Sequence, residues 1–87
     1  MRGVRYTHHA REKFEILKQH GFEVTPDQVE QTVLNPEKVL PQPGDRFVAQ
    51  KGVTARHVLR VVYREEGETG VVMTFSPGRR ERYETEV

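Results

Sequence analysis

His9, Lys13, Arg60, Arg80, Arg82 and Tyr83 are the side chains of this sequence whose chemical types suit work on a phosphodiester. Cleaving RNA without a metal takes a base for the 2′-hydroxyl, an acid for the leaving oxygen, and cations for the charge that builds on the phosphate. A histidine or lysine can move the protons, arginines can hold the phosphate, and a tyrosine can stack on a base or orient the hydroxyl. On these grounds His9, Lys13, Arg60 and Tyr83 form the candidate catalytic set. Arg60, Thr74, Arg80 and Arg82 form the candidate nucleic-acid-binding set. Each has a plainer reading. A helix histidine beside a core-facing alanine is often structural, capping a strand carbonyl, and His57 reads as packing or as a rim residue. The tail arginines can equally be a solvated terminus paired with Glu81, Glu84 and Glu86.

Other chemistries find less support. His9 and His20 project alike on a helix, but the eleven positions from one to the other separate them by about 16 Å, beyond the span of one zinc ion. His8 and His9 point about 100° apart, and the chain has no cysteine, no His-Glu-x-x-His run and no clustered carboxylates. No metal site and no cofactor are therefore expected. Ser76 follows a strand, but Ser76-Pro77-Gly78 is not a nucleophile elbow and no aspartate lies near it in sequence to orient a histidine. There is no glycine loop of the kind that cradles phosphate.

The elements that must position these residues are legible in outline. With 87 residues the chain is expected to form one domain, residues 1–87, and with 34% hydrophobic against 31% charged residues its core must be thin. Thr7 reads as an N-cap, the residues from His8 to about His20 as a helix, and Gly21 as its stop. Ala10, Phe14 and Leu17 share one side of that helix and face the core. Thr25-Pro26-Asp27-Gln28 is a capping box opening a second helix that buries Val29 and Val33 and stops before Asn35-Pro36. The period then changes to two. Residues 38–40 and 46–51 are strand candidates, and Arg56 to Arg64 and Thr69 to Ser76 are the strongest strands, joined by an acidic glycine turn. The expected fold is α+β, with two N-terminal helices packed on one face of an antiparallel, meander-like sheet of about four strands. Arg5-Tyr6 reads as a short lead-in to the first helix.

Apolar periodicity also gives an expected register. His57, Leu59, Val61 and Tyr63 share one strand face, and Val71, Met73 and Phe75 share one face of the next. Pairing Tyr63 with Val71, and so Leu59 with Phe75, brings the two sets together. Arg60 then sits opposite Thr74 on the other face, among Val58, Val62, Val72 and Ser76. An arginine there is either a guard against edge-to-edge aggregation or the floor of a binding surface.

The net charge of +1 hides alternating blocks. Residues 1–20 carry +3, residues 21–45 carry −4, residues 46–64 carry +5, and the Glu65, Glu66, Glu68 turn carries −3. A localised basic surface suits phosphate contact, although ordinary solvated faces also alternate. The Met1-Arg2-Gly3 start lacks a signal-peptide core and no run reaches membrane-spanning length, so a cytoplasmic protein without a membrane association is expected.

Two long stretches, THHAREKFEILKQHGFEVTPDQVEQTVLNPEKV and RHVLRVVYREEGETGVVMTFSPGRRERYE, together resemble an uncharacterised family of small prokaryotic proteins, the domain of unknown function numbered 4258. Thr7, His9, Ala10, Lys13, Asn35, Pro36, Leu59, Arg60, Val61, Tyr63, Thr74, Arg82 and Tyr83 sit on its pattern, over about residues 5–84. The resemblance implies a toxin-like half of a toxin–antitoxin pair, with a layout similar to the RelE/ParE toxins and to barnase-like ribonucleases. Such toxins cut messenger RNA or poison gyrase through basic residues on an open sheet face, often with an arginine and a tyrosine near the C-terminus. By role, Arg60, Arg82 and Tyr83 match them, whereas His9 matches only the uncharacterised family. This chain departs from ribosome-dependent toxins in being barely basic overall. The expected function is a toxin-like RNA endonuclease that needs no metal. The alternative is a non-catalytic module that docks an acidic protein or an RNA. The implied partners are RNA, a small antitoxin protein, or a second copy of the chain across a valine-lined sheet face.

Overall fold

A computed structural model describes residues 1–83. Glu84 and Glu86, two of the expected partners of the tail arginines, lie outside the described residues. The elements run β1 (Gly3–Tyr6), α1 (His8–Gln19), α2 (Pro26–Leu34), β2 (Lys38–Gln42), β3 (Arg46–Gly52), β4 (His57–Glu66), β5 (Thr69–Arg79) and α3 (Arg80–Tyr83).

Local chemistry sets both long helices. Thr7 Oγ1 accepts from the Ala10 amide at 3.2 Å, capping α1. At its other end Gly21, with φ of 87°, closes a Schellman turn in which the Gly21 and Phe22 amides donate to the Lys18 and Leu17 carbonyls. The capping box of α2 is complete: Thr25 Oγ1 accepts from the Gln28 amide at 3.1 Å, and Gln28 Oε1 accepts from the Thr25 amide at 3.0 Å.

The fold is α+β, as expected, but the sheet is five-stranded and mixed, in the order β1-β5-β4-β3-β2. The lead-in Arg5-Tyr6 belongs to the added strand, which lies parallel to β5 at the sheet's edge. Four residues with no room for a periodic pattern gave no strand signal. Their partner is the far end of the chain, which local reading does not reach. The other strands form the antiparallel meander. The tail after β5 turns into the short helix α3.

Helices α1 and α2 cover one face. Ala10, Leu17, Val29 and Val33 pack there with Leu59, Val61, Tyr63, Val72 and Phe75. Phe75 is 1% exposed, with the Phe14 ring 4.7 Å away. The hairpin register differs from the expected one. Val61 pairs with Phe75 and Arg60 with Ser76, two places away from the expectation, and Leu59 meets Pro77. A bulge between Val62 and Tyr63 then leaves Met73 as the extra residue of β5. Its carbonyl accepts from Thr7 Oγ1 at 3.3 Å, and the Thr7 amide donates to the Val72 carbonyl at 3.0 Å, so the cap of α1 is tied to the bulge. The bulge exchanges the expected faces of two valines. Val72, beside Tyr63 and Tyr6, joins the helix side, while Val71, beside Arg64 and Arg5, turns to the other. Periodicity assumes an unbroken pleat, and one inserted residue reverses it beyond that point.

Candidate functional site

Because residues paired across antiparallel strands share a face, the surface away from α1 and α2 can be read from the ladder. One row crosses it as Lys38, Gln50, Arg60 and Ser76, and the next as Leu40, Val48, Val62 and Thr74. Thr74 is therefore on the same face as Arg60 but faces Val62 directly, and Ser76 takes its expected place. A third row is Gly52, Val58 and Gly78. Helix α3 lies over this row. A Cβ on Gly52 would overlap the Arg80 guanidinium, and one on Gly78 would overlap Cε2 and Cδ2 of Tyr83. Val58 beneath them is fully buried. The two glycines are the reason a helix can sit this close to the strands.

That packing fixes the position of Tyr83. The Arg60 guanidinium carbon stands 4.3 Å from its ring centroid, and that of Arg82 stands at 5.8 Å. Cation–ring attraction of this kind is worth about 0.5–2 kcal/mol. With one side of the ring carrying Arg60 and its edge against Gly78, Tyr83 serves as a platform for the arginine. Arg60 Nε is buried and, among the described residues, is the one such side-chain nitrogen or oxygen with no hydrogen-bond partner. Leaving a charged donor unpaired in this way is unfavourable. It is the feature of this face that nothing in the fold itself explains.

Arg46 shares this face by alternation with Val48 and Gln50, and the remaining strand cations lie towards its two ends. Glu66 binds Arg64 at 2.6 Å and Arg5 at 2.8 Å. The hydrogen bond from Arg64, reinforced by its charge and by Arg5, holds the Glu66 carboxyl below the usual carboxylate range. One carboxylate is thus shared by two arginines, which leaves the trio a net +1. Lys38 and Arg60 stand at the other end of the face, beside a cleft of about 250 Å³ lined by Glu37, Lys38, Gln50 and Tyr83. Glu37 is held there from both sides. Its amide donates to the Gln50 carbonyl at 2.9 Å, and its Oε1 accepts from the Gly52 amide at 2.8 Å.

His9 and Lys13 do not join this group. Both lie on α1, which packs on the opposite face of the sheet from Arg60 and Tyr83. His9 is exposed and Lys13 half-buried. The structure brings together Arg60, Arg82 and Tyr83, with Thr74 on the same face and Arg80 laid over Gly52. Arg80 Nε donates to the Thr54 carbonyl at 2.8 Å, which gives it a structural job. Residues that sequence reading missed are Glu37, Lys38 and Gln50. Asn35-Pro36-Glu37 was legible only as a helix stop, and Gln50 becomes a neighbour of Arg60 only once β3 is paired with β4. Among the described residues no group of three histidines or carboxylates is placed to hold a metal ion. No helix among them is long and apolar enough to cross a membrane. No family model, curated protein or solved structure matches this chain.

Proposed function

We propose that this protein is a toxin-like module that binds single-stranded RNA through its outer sheet face without cutting it. The observation that carries the reading is Arg60, held against Tyr83 with its Nε buried and unpartnered. A guanidinium pinned in this way has little further freedom to give up when it meets a phosphate, and its Nη groups provide charge-assisted hydrogen bonds. Lys38 and Arg82 supply further phosphate contacts along the same face, and Ser76 and Thr74 supply hydroxyls. The face away from this surface carries His9 and Lys13, so the proton-moving pair expected for cleavage is separated from the phosphate-holding pair by the thickness of the sheet. That separation favours binding over catalysis. The resemblance to toxin-like proteins with a RelE/barnase-like layout supplies the biological class, and the helices covering one face of the sheet with the other left to basic residues agree with it.

A second reading rests on Glu37. Its carboxylate lines the cleft beside Tyr83, so a metal-independent nuclease built on this face would draw its base from Glu37 rather than from His9. One experiment separates the two. Labelled RNA is incubated in EDTA at low salt with the wild type, Arg60→Ala and Glu37→Gln. A mobility shift of intact RNA that disappears in Arg60→Ala supports the binding module. Cuts that vanish in Glu37→Gln establish the nuclease. Neither signal would defeat both and turn the search to an acidic protein partner.

A further inference from the structure

At one end of the sheet, where β4 begins and β5 finishes, two cavities adjoin and share a wall residue, His57. The first, of about 430 Å³, is lined by Ala55, Arg56, His57, Arg79, Arg80 and Glu81. Three guanidiniums and one carboxylate give that lining a net charge of +2 before any proton on the imidazole. Arg79 is the ladder partner of His57, so the two side chains rise from the same strand face, the one covered by the long helices. The backbone at Arg56 is tied to α3, because its carbonyl accepts from the Arg80 amide at 2.9 Å. Arg79 meets Glu81 at 3.7 Å with both side chains more than three-quarters exposed. A pair that loose and that solvated is weak and yields readily to a doubly charged phosphate.

The second cavity, of about 280 Å³, is mainly apolar, with Phe22, Val24, Val53, Leu59 and Pro77 in its wall. Phe22 is 38% exposed. The Schellman turn holds it there through the 2.8 Å bond from its amide to the Leu17 carbonyl. Its ring stands edge-on to His57 with centroids 5.6 Å apart. A single exposed aromatic is ordinary on a protein surface. This one differs in that it opens onto a basic cavity through one shared residue. Together the cavities reach the size of small-molecule sites, about 300–1,000 Å³.

We propose that these cavities form one nucleotide site at the end of the sheet, distinct from the Arg60–Tyr83 pair. The phosphate lies between Arg56 and Arg79, and the base lies against Phe22 and Val53. His57 divides them; its Nδ1 is 3.3 Å from Thr54 Oγ1, and Nε2 is the ring's other hydrogen-bonding atom. An anion pocket joined to a mainly apolar pocket of about 280 Å³ matches a phosphate carried on a heterocycle. A lipid needs a longer apolar slot, and an inorganic anion makes no use of the second cavity. The inference does not depend on RNA binding at Arg60.

The test uses adenosine monophosphate as probe, titrated into ¹⁵N-labelled protein and followed by amide chemical shifts. Saturable shifts are expected at Phe22, at residues 53–57 and at Arg79. Adenosine and inorganic phosphate should each bind at least about tenfold more weakly than the nucleotide, since each fills one cavity only. Arg56→Ala with Arg79→Ala, both exposed and so harmless to folding, should raise the Kd by at least about tenfold. Arg60→Met should leave it unchanged, which separates this site from the Arg60–Tyr83 pair. A 5′-phosphorylated dinucleotide binding more tightly than the monophosphate would identify the ligand as an RNA end, and equal binding would identify it as a free nucleotide. The proposal is overturned if phosphate alone binds as tightly as the nucleotide, if the double variant binds as the wild type does, or if no saturable shifts arise at these residues.

Discussion

The guanidinium carbon of Arg60 lies 4.3 Å from the ring centroid of Tyr83, a residue 23 positions later in the chain that reaches it from a separate helix. Neither residue is held by its own element alone. Arg60 points outward because Leu59 and Val61 point inward, and Tyr83 reaches it because Gly78 leaves room for the ring. The pair sits on a strand face on which Arg5 and Arg64 are bound to Glu66.

An arginine whose Nε is buried without a partner should cost the fold something and serve the ligand. Arg60→Met keeps the length and removes the stranded donor. We expect the variant to be as stable as the wild type or up to about 1 kcal/mol more so in urea. Its affinity for single-stranded RNA should fall, with the salt dependence of log K shallower by about 0.7 for each phosphate that is no longer held. A variant both less stable and equally tight in binding would assign Arg60 to packing.

Gly78 carries the same surface from below. In Gly78→Val the new side chain takes the place of Cε2 and Cδ2 of Tyr83, so the ring must move and α3 must lift from Val58. Overpacking of this kind costs roughly 1–3 kcal/mol. RNA binding should drop as far as in Tyr83→Ala while the long helices keep their far-ultraviolet signal. Binding unchanged from wild type would remove α3 from the interface.

The phenol of Tyr6 responds to alkali. Burial, then the charge of the Glu30 carboxylate, push its pKa from 10.0 up to about 12. Between those values the unfolded chain releases a proton that the folded one keeps, so stability is unaffected below about pH 10 and falls as pH rises towards 12. Allowing for solvent screening at a half-buried site, the loss is roughly 1–2 kcal/mol. Tyr6→Phe should flatten that limb in urea titrations at pH 9 to 11.5. A limb equally steep in the variant would assign the alkaline loss to other groups.

Phe75 is the largest of the fully buried side chains and the centre of the helix face. Phe75→Ala should cost about 3–5 kcal/mol. In a domain this small that approaches the whole stability. Met73, displaced by the bulge and half-buried, should tolerate alanine for about 2 kcal/mol or less. Measured unfolding free energies in the reverse order would mean that the bulge lies elsewhere.

Much of the fold was legible because its signals are local. Thr7, Gly21, Thr25 and Gln28 mark helix ends through hydrogen bonds that span two to four residues, and all four act as expected. Period-two patterning located β3, β4 and β5 and put Leu59, Val61 and Phe75 on the core side. The bulge at Met73 left no local mark, and the residue that bonds its carbonyl, Thr7, is more than sixty residues away. Strand β1 was hidden for a similar reason, since its ladder of hydrogen bonds is with β5.

The α+β class, the two capped helices, the inward face of β4 and the outward direction of Arg60 can all be read from the chain's residues, because each follows from short-range hydrogen bonding or from side-chain alternation along one strand. Which chemical groups meet depends on how distant parts of the chain pack. Pairing of β3 with β4 set Gln50 beside Arg60, and the turn of the chain after β5 carried Tyr83 over Gly78 to the same spot. The same sheet put His9 and Lys13 on its far side. Residue types and spacings say what a side chain can do. Which side of a sheet it does it on depends on contacts between parts of the chain that no local pattern connects.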